Sequence, residues 1–592
     1  MTNYFAKDGR YFLAGENDKP DIELTNVEIK LEEELKVVHP EGGHTINLRF
    51  SALVPDGESV EHTMPFSEFE KFDWVSDGLG IGAKINTIDL PRQKVIAHIK
   101  AAVQQFNPSV ARRTVYARTG FIEELPGRWE YLFANGKISA DGVSYGENSL
   151  LHGKFAYCQL PENYNSGKTD VRSSIQSVFG LLDLSKNNPY IGLVPCLAPI
   201  RAVVSRLLPI DSWFFIVGRT GTFKTSVTLL TMSFFGPAEK EHLISWNSTE
   251  YALTELMLIA QNGILAVDDF VYNPASGKDR DFTDKADTCL RACANGTYRS
   301  RKSIETSSVE NKPRLNSMLV ATGEFAPTGV QESIHARGIY VPVGPEDIQS
   351  KQLSKFQEMA RNGDFGKVMV EFIRYFLKRR SKFTKEIEAW KEEFKKKVIA
   401  LSDSNSNRDL EQIVGMLIAW KIFLRFATHK NAITKEDSSK YGQIVLRRLV
   451  ELQQCQREIY APSLGTIFLE SLEVALKDGR GHLIDHKHGG APRCDLTASM
   501  GWKGGKPKGK HLGWYNVKKD IVYVSSDVEV EELIELVPLH YQHLFRKSKP
   551  AFWKQLVKEG LVVPSENGRN GSRDKLHGTE KNHYRLIMSL VR

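Results

Sequence analysis

A glycine-rich segment that contains a lysine and several hydroxyl side chains is the part of the sequence best suited to chemistry. Residues 213–217 predict a buried strand, GRTGTFKT follows at 218–225, and the helix-like run SVTLLTMSFF comes next. Inward backbone N–H groups and the amino end of a helix together bind phosphate groups. The sequence therefore predicts an ATP-binding loop, with contacts from Gly218, Thr220, Gly221, Thr222, Phe223, Lys224, Thr225 and Ser226.

Lys224 and Thr225 have distinct expected roles in this loop. The ammonium group of Lys224 would contact the β- and γ-phosphates, and the hydroxyl of Thr225 would hold Mg²⁺. The usual pattern, G-x-x-x-x-G-K-[ST], has a glycine just before the lysine, whereas this sequence has Phe223. An ordinary glycine turn after a buried strand is the alternative interpretation, but the flanking strand and helix favour a phosphate-binding loop.

Two acids follow a second apolar run at 264–267, which places Asp268 and Asp269 at the carboxyl end of a predicted strand. Ligand sites of parallel sheets lie at this edge. We expect Asp268 to associate with Mg²⁺ and Asp269 to polarise the attacking water, a role in which a glutamate is usual. Glu324 is the alternative base. The alternative to a catalytic pair is two solvated acids that close a core strand.

A third apolar run, 318–321, leads to Thr322. A polar side chain at such a strand tip can sense the γ-phosphate, so Thr322 is the sensor candidate.

Several segments together resemble one family, the large ATPases found on phages, plasmids and chromosomal cassette elements. The shared motifs are RTGF at 118–121, SWNSTEYALTEL at 245–256, AVDDF at 266–270, ANGTYRSR at 294–301 and ATGE at 321–324, with paired helices before the loop. Some members of this family look like self-loading MCM-type or superfamily III replicative helicases. MCM loops also replace the glycine before the lysine. The resemblance covers about residues 115–345 and implies a hexameric ring that encircles DNA.

The same resemblance implies roles for four basic residues. Arg337 is similar in position to the arginine finger of MCM proteins, which acts on the ATP of a neighbouring subunit. Arg299, Arg301 and Lys302 would lie on a hairpin that projects into the channel of the ring and moves along DNA. The alternatives are a surface arginine before a strand and a charged, solvated edge strand.

Composition and periodicity predict a multidomain α/β chain with additional all-α and all-β parts. The predicted order is a β-rich domain (1–120), a helical linker (121–208), a P-loop AAA+-type ATPase core (209–345), a helical lid (346–460) and a basic winged-helix-like domain (461–592). The net charge is +7, and the positive excess is concentrated after Lys477. That concentration favours binding to a phosphate backbone, and Arg569, Arg573 and Lys575 are the candidate contacts in a loop between two strands.

Two cysteine and histidine groupings have less specific spacing. His482, His486, His488 and Cys494 match no standard zinc site and lie in a glycine-rich segment. Cys289 and Cys293 are one helical turn apart, which is typical of core positions. The segment 501–514 is expected to be a flexible basic loop.

The leading hypothesis is an ATP-dependent replicative DNA helicase of a mobile genetic element, active on single-stranded or forked DNA and using ATP and Mg²⁺. A DNA-stimulated ATPase that loads another helicase, or a nucleotide-regulated initiator with sequence-specific origin binding, is the alternative. A primase is disfavoured because the N-terminal part has no convincing acidic metal-binding cluster. No apolar run is long enough to span a membrane and no secretory signal pattern is present, so we expect a cytoplasmic protein.

Overall fold

The structure is a computed structural model of the chain. It describes residues 3–15, 19–54, 57–80, 82–162, 164, 169–271, 279–297, 314–327, 330–402, 407–460, 463–492, 497–519, 521–528, 530–537, 549–563, 572–577 and 579–587. The residues form two compact units: the first contains 1–269, 288–322 and 336–450, and the second contains 270–287, 323–335 and 451–592. Within the described residues, every helix is too short or too polar to cross a bilayer.

The N-terminal part of the first unit is β-rich, as its alternating sequence predicts. Its elements are β1 (Tyr4–Lys7), β2 (Arg10–Leu13), β3 (Ile22–Thr25), β4 (Glu28–Val38), β5 (His44–Leu53), β6 (Ser59–Pro65), α1 (Phe66–Phe69), α2 (Trp74–Gly78), α3 (Arg92–Phe106) and β7 (Ala111–Tyr116). One sheet has the order β1-β2-β3 and another the order β6-β5-β4-β7. Helix α3 buries Val95, Ile99 and Val103 in the same core as Phe50. The helical spacing of these three apolar residues accounts for the side of α3 that is buried.

The next segment differs from the predicted helical linker over 121–208. Its first part is an antiparallel sheet in the order β11-β10-β9-β8, made of β8 (Gly120–Leu125), β9 (Arg128–Phe133), β10 (Gly136–Ile138) and β11 (Val143–Tyr145). Within the described residues of this segment, the α-helices are α4 (Arg172–Gly180) and α5 (Leu193–Val204), and Pro199 lies inside α5. The hairpin between β9 and β10 turns at Ala134 and Asn135, with Phe133 opposite Gly136.

The RTGF motif attaches this sheet to the segment just before the acid-bearing strand. The hydroxyl of Thr119 donates to the carbonyl oxygen of Gln261 at 3.0 Å, and the side-chain oxygen of Asn262 accepts from the N–H of Phe121 at 3.2 Å. Gly120 has φ +87°, and a Cβ there would lie 2.1 Å from the Gln261 carbonyl oxygen. The hydroxyl of Tyr131 also donates to the carbonyl oxygen of Asn262. The glycine is required by this close approach.

The central sheet of the first unit is built from short, continuously apolar strands. The elements from this sheet's first strand to its last are β12 (Trp213–Val217), α6 (Lys224–Met232), β13 (Ile244–Ser245), α7 (Glu250–Ile259), β14 (Ile264–Phe270), α8 (Asp279–Asn295), β15 (Met318–Gly323), α9 (Glu332–His335) and β16 (Gly338–Pro342). The first half of α8 and all of α9 are counted with the second unit. The strand order is β13-β14-β15-β12-β16, and the β12–β16 and β13–β14 pairs are parallel. β15 therefore lies between the strand that precedes the glycine loop and the strand that carries the acids.

The predicted helical lid consists of long helices. They are α10 (Ser350–Arg361), α11 (Asp364–Leu401), α12 (Asn407–His429) and α13 (Lys435–Tyr460). Between α11 and α12, the buried carboxylate of Glu371 accepts from Lys430, from Arg374 at 2.8 Å and from the hydroxyl of Tyr164 at 3.1 Å. A buried charge of this kind is tolerated because every partner is a donor.

The C-terminal part of the second unit has a larger sheet than a winged helix requires. Its elements are α14 (Leu464–Lys477), β17 (Gly481–Asp485), β18 (Trp502–Lys503), β19 (Lys506–Pro507), β20 (Lys510–Asn516), β21 (Ile521–Ser525), α15 (Val530–Ile534), α16 (Lys549–Lys558), β22 (Val562–Val563), β23 (Ser572–Leu576) and β24 (Thr579–Ile587). The order β17-β20-β21-β24-β22, with β23 also paired to β24, makes a six-stranded sheet. In the order α16, β22, β23, β24, strand β23 lies where the winged-helix prediction expected a loop between two strands.

The segment 501–514 is not the flexible loop that its glycine and lysine content predicted. β18 and β19 form a short antiparallel hairpin, and β20 begins at Lys510. Gly504 and Gly505 have φ values of +59° and +74°, which a two-residue hairpin turn requires. The glycines therefore turn the chain between paired strands.

Candidate functional site

The glycine loop has the strand, turn and helix that its sequence predicted. β12 ends at Val217, and α6 begins at Lys224 with Phe223 immediately before it. Phe223 has φ 65° and ψ 17°, a left-handed conformation that glycine adopts most easily. The aromatic residue therefore occupies the backbone conformation for which the usual pattern has a glycine.

Lys224 binds its own loop in this structure. Its ammonium nitrogen Nζ donates to the carbonyl oxygens of Gly218 at 2.7 Å and Arg219 at 2.8 Å. The hydroxyl of Thr222 donates to the Arg219 carbonyl oxygen at 2.8 Å and helps to fix the turn. The ammonium group of Lys224 is thus held against the glycine loop, where a phosphate oxygen could replace a carbonyl oxygen as its acceptor.

Asp268 joins the glycine loop to the sensor strand through its two carboxylate oxygens. The hydroxyl of Thr225 donates to Oδ2 at 3.0 Å, and the hydroxyl of Thr322 donates to Oδ1. Thr322 is almost fully buried. Three residues that the sequence placed in separate motifs therefore form one hydrogen-bonded chain, Thr225–Asp268–Thr322.

Asp269 lies beside this chain with an exposed side chain. Its backbone N–H donates to the hydroxyl of Thr322 at 3.0 Å, and its φ of 67° is left-handed, which is uncommon for a residue other than glycine. The side chain of Asp269 is therefore exposed, whereas the carboxylate of Asp268 accepts from two hydroxyls. Glu324, the alternative base, belongs to the second unit, where its N–H donates to the carbonyl oxygen of Phe270 at 3.1 Å.

The side chains at this point suit a magnesium ion that is shared with phosphate. Mg²⁺ prefers oxygen ligands and is usually held by one or two carboxylates, waters and substrate phosphates. Thr225 and Asp268 supply one hydroxyl and one carboxylate within 3.0 Å of each other. Among the described residues, no group of three or more His, Cys, Asp or Glu side chains could hold a metal on its own. A divalent ion would therefore need phosphate oxygens to complete its ligands.

Residues that the sequence analysis did not identify form hydrogen bonds and close contacts next to the glycine loop. The N–H of Val343 donates to the carbonyl oxygen of Val217 at 2.7 Å, and a Cβ on Gly218 would lie 2.3 Å from the Val343 carbonyl oxygen. Asn188 donates to the carbonyl oxygen of Pro342 at 2.7 Å and to the carboxylate of Asp347 at 2.9 Å. These contacts join segments that are far apart in sequence, so local patterns could not reveal them.

Arg337 lies at the opposite edge of the central sheet from the glycine loop. It immediately precedes β16, which runs parallel to β12 with Trp213 opposite Gly338 and Val217 opposite Pro342. The length of five strand residues, about 16 Å, separates the two edges. The guanidinium of Arg337 donates to the side-chain oxygen of Asn295. The structure therefore does not bring Arg337 to the glycine loop of the same chain.

The predicted DNA contacts are only partly covered by the structure. Arg299, Arg301, Lys302 and Arg569 lie outside the described residues. Arg573 and Lys575 belong to strand β23, opposite Asn582 and Glu580 of β24. The prediction of a loop at these two positions was wrong, because the backbone there pairs with a neighbouring strand.

The histidine and cysteine groupings have ordinary structural contacts. The ring of His482 packs against Trp502 and His511, and its Nδ1 lies 3.1 Å from the Lys508 carbonyl oxygen. Cys494 is outside the described residues. Cys289 and Cys293 are buried on α8, and burial raises the pKa of Cys293 to about 12. A thiol with so high a pKa is a poor metal ligand or nucleophile at neutral pH.

Comparison with known proteins finds a likeness only among solved structures. No protein-family model matches the chain, and no curated protein matches it. Among solved structures, the chain is similar to one described as "SCCmec type IV Cch - active helicase", with a TM-score of 0.49 and 13% sequence identity over 100% of this chain and 98% of that chain. A likeness of this degree establishes neither a common fold nor a common activity.

Proposed function

We propose that this protein is an ATPase that uses the glycine loop at 218–225, with Mg²⁺, to hydrolyse ATP. The observation that carries the proposal is the chain Thr225–Asp268–Thr322, which starts beside Lys224 and ends at the sensor strand. A hydroxyl and a carboxylate at this distance suit a Mg²⁺ ion on the β- and γ-phosphates, where the ion would neutralise developing charge. Lys224 would exchange the carbonyl oxygens of its loop for phosphate oxygens when ATP binds.

The exposed carboxylate of Asp269 is our candidate for the group that orients the attacking water. The oxygen of that water forms the new bond to the γ-phosphorus as the bond from the γ-phosphorus to the bridging oxygen breaks. ADP leaves with that oxygen, and the proton of the water passes to solvent through the carboxylate. The hydroxyl of Thr322, which is bonded to both Asp268 and the backbone of Asp269, would report the presence of the γ-phosphate.

The position of Arg337 supports a ring in which each ATP is completed by a neighbouring subunit. This arginine lies about 16 Å from its own phosphate loop along the strand direction, beyond the reach of one side chain. An arginine that contributes in trans stabilises the charge of the transition state and couples hydrolysis to assembly. The hexamer itself is an expectation from the family resemblance.

We further propose that the work done is unwinding of DNA, in the replication of a mobile genetic element. The support is the set of motifs over residues 115–345 and the basic C-terminal part, with a backbone-binding role for its lysines and arginines. The structural neighbour has a name of the same class, but that likeness is too small to add support.

Strand displacement on a forked DNA duplex tests the proposal directly. Wild type is expected to hydrolyse ATP and release the labelled strand, while Lys224→Ala loses both activities because the ammonium group that would contact the β- and γ-phosphates is removed. Lys240→Ala is the matched control, since Lys240 is an exposed lysine away from the loop. Unwinding that survives in Lys224→Ala would contradict the assignment of the site.

Two other outcomes distinguish the alternative functions. DNA-stimulated ATP hydrolysis without displacement of the strand would indicate a loader of another helicase. Tight, sequence-specific binding to one duplex that ATP alters without being hydrolysed would indicate an initiator in which nucleotide only regulates binding.

A further inference from the structure

A basic cavity lies on the helical bundle, among residues to which the proposed function gives no role. Its volume is about 420 Å³, and it opens where α11, the end of α12 and the start of α13 meet. Tyr375 and Phe383 form its apolar floor and are buried. The cavity is within the size range of sites that hold small ligands or single groups of larger ones.

The walls of this cavity are cationic. Arg379, Lys382, Arg425 and Lys435 all line it, and none of the described residues that line it is acidic. Elsewhere on the same helices, lysines and arginines are paired with acids, as in Lys391–Glu388, Lys397–Glu393 and Lys430–Glu371. At the cavity only Arg425 has such a partner, Glu386 at 2.7 Å; within the described part of the bundle, Arg379, Lys382 and Lys435 form no ion pair. A convergence of like charges is unfavourable unless an anion neutralises it.

The position of Arg379 is the further observation that indicates an anion. Lys435 and Ser438 of the first turn of α13 also line the cavity, but Glu436 and Asp437 of that turn offset the positive end of the helix, and Asp437 accepts from Thr434. Arg379 is held in place, because its guanidinium lies 4.2 Å from the ring centre of Tyr375 and 3.3 Å from Nε2 of His429. Burial, followed by the charges of Arg379, Lys430 and Lys378, lowers the pKa of His429, so that ring accepts from the arginine and adds no charge.

The aromatic floor limits what kind of anion fits. Arg379 covers the face of Tyr375, and Phe383 is fully buried beneath it. Neither ring offers an open face on which a nucleobase could stack. The groups that remain are charges and one or two hydroxyls, which recognise phosphate and ignore base identity.

We infer that this cavity binds a phosphate group, and that its source is the backbone of a nucleic-acid strand that passes over the helical bundle. The phosphate chemistry follows from the cavity itself, whereas the choice of nucleic acid over a free phosphate compound rests on the proposed function. Binding of this kind is independent of sequence and sensitive to salt.

Fluorescence anisotropy of a labelled single-stranded oligonucleotide of thymidines, titrated at several salt concentrations without nucleotide, tests the inference. The cavity variant is Lys382→Gln with Lys435→Gln, two exposed residues whose loss leaves the fold intact. The control variant is Lys385→Gln with Lys396→Gln, two exposed lysines of α11 that do not line the cavity. Loss of two phosphate contacts should lower the slope of log affinity against log salt by about 1.4. Affinity should fall roughly three- to tenfold, with the control unchanged.

A second measurement identifies the source of the phosphate. Inorganic triphosphate is added to wild type and to the cavity and control double variants. Each double variant also carries Lys224→Ala, which removes triphosphate binding at the glycine loop. If oligonucleotide binding is unchanged in the cavity variant but triphosphate raises the melting temperature of the control and not of the cavity variant, the nucleic-acid source is overturned. If neither ligand distinguishes the two variants, the inference fails completely. ATP hydrolysis by wild type reports on the proposed function separately, because the oligonucleotide measurement needs no ATP.

Discussion

The left-handed backbone at Phe223 leads to a prediction about which residues this loop accepts. We consider Phe223→Gly, Phe223→Ala and Phe223→Val. Phe223 has φ 65°, and this conformation costs a residue with a Cβ about 1–2 kcal/mol relative to glycine. A glycine costs about 0.5–1 kcal/mol more in the unfolded chain, so Phe223→Gly should leave the free energy of the loop nearly unchanged.

Valine should behave differently, because a β-branched side chain at positive φ is a true outlier. Phe223→Val should cost about 1–3 kcal/mol more than Phe223→Gly. A cost of about 1.4 kcal/mol corresponds to roughly tenfold weaker ATP binding. Alanine should fall between valine and glycine. The half-buried ring of Phe223 contributes packing that the smaller residues lose, and this loss is common to all three variants.

Titration of a fluorescent ATP analogue in the presence of Mg²⁺ measures the effect. Leu229→Val is the matched control, since Leu229 is a half-buried residue of the same helix, α6, in an ordinary right-handed conformation. If Phe223→Val binds the analogue as tightly as Phe223→Gly, the loop does not need positive φ at this position, and our account of the missing glycine is wrong.

Three further predictions concern the acid chain, the attached sheet and the helical bundle. Asp268→Asn should lower steady-state phosphate release at least about a hundredfold, because both bonded hydroxyls lose their charged acceptor. Gly120→Ala should destabilise the fold by about 3 kcal/mol or more in chemical denaturation, whereas Gly142→Ala, with open space around its Cβ, should not. Burial alone would raise the pKa of Glu371, but the bond and charge of Lys430 outweigh it and lower that pKa; the pair therefore stabilises the fold above pH 4.5, and this stability is lost as the pH falls through the lowered pKa. Glu371→Gln should remove about 3–5 kcal/mol at pH 7, and its denaturation midpoint should depend less on acid.

Local patterns predicted the parts of the candidate site that lie at strand ends. Three apolar runs are followed by the segments that contain Lys224, Asp268 and Thr322. Because parallel strands bring their carboxyl ends to one edge of a sheet, these runs were sufficient to predict that the three segments lie at that edge. The roles of these residues in ATP chemistry stay predictions. Asn188 and Asp347 were not predictable, because they meet only through packing between distant segments.

The failures of the sequence reasoning have physical causes of the same kind. The sheet at 120–145 was taken for a helical linker because its strands are short and their apolar alternation is weak. The basic segment at 501–514 has a loop-like composition, and its pairing depends on neighbouring strands. The cavity of the helical bundle depends on the packing of three helices, so its charges could not be grouped from sequence.

Asn262, just before β14, forms hydrogen bonds to several segments that are distant in sequence. Its side chain donates to the hydroxyl of Ser205 at 2.7 Å, its backbone N–H donates to Asn316, and the RTGF sheet is bonded to its other atoms. The strand that carries Asp268 is therefore tied at its other end to three separate segments. A shift of that end of the strand would displace the small sheet at 120–145 together with the segments at Ser205 and Asn316.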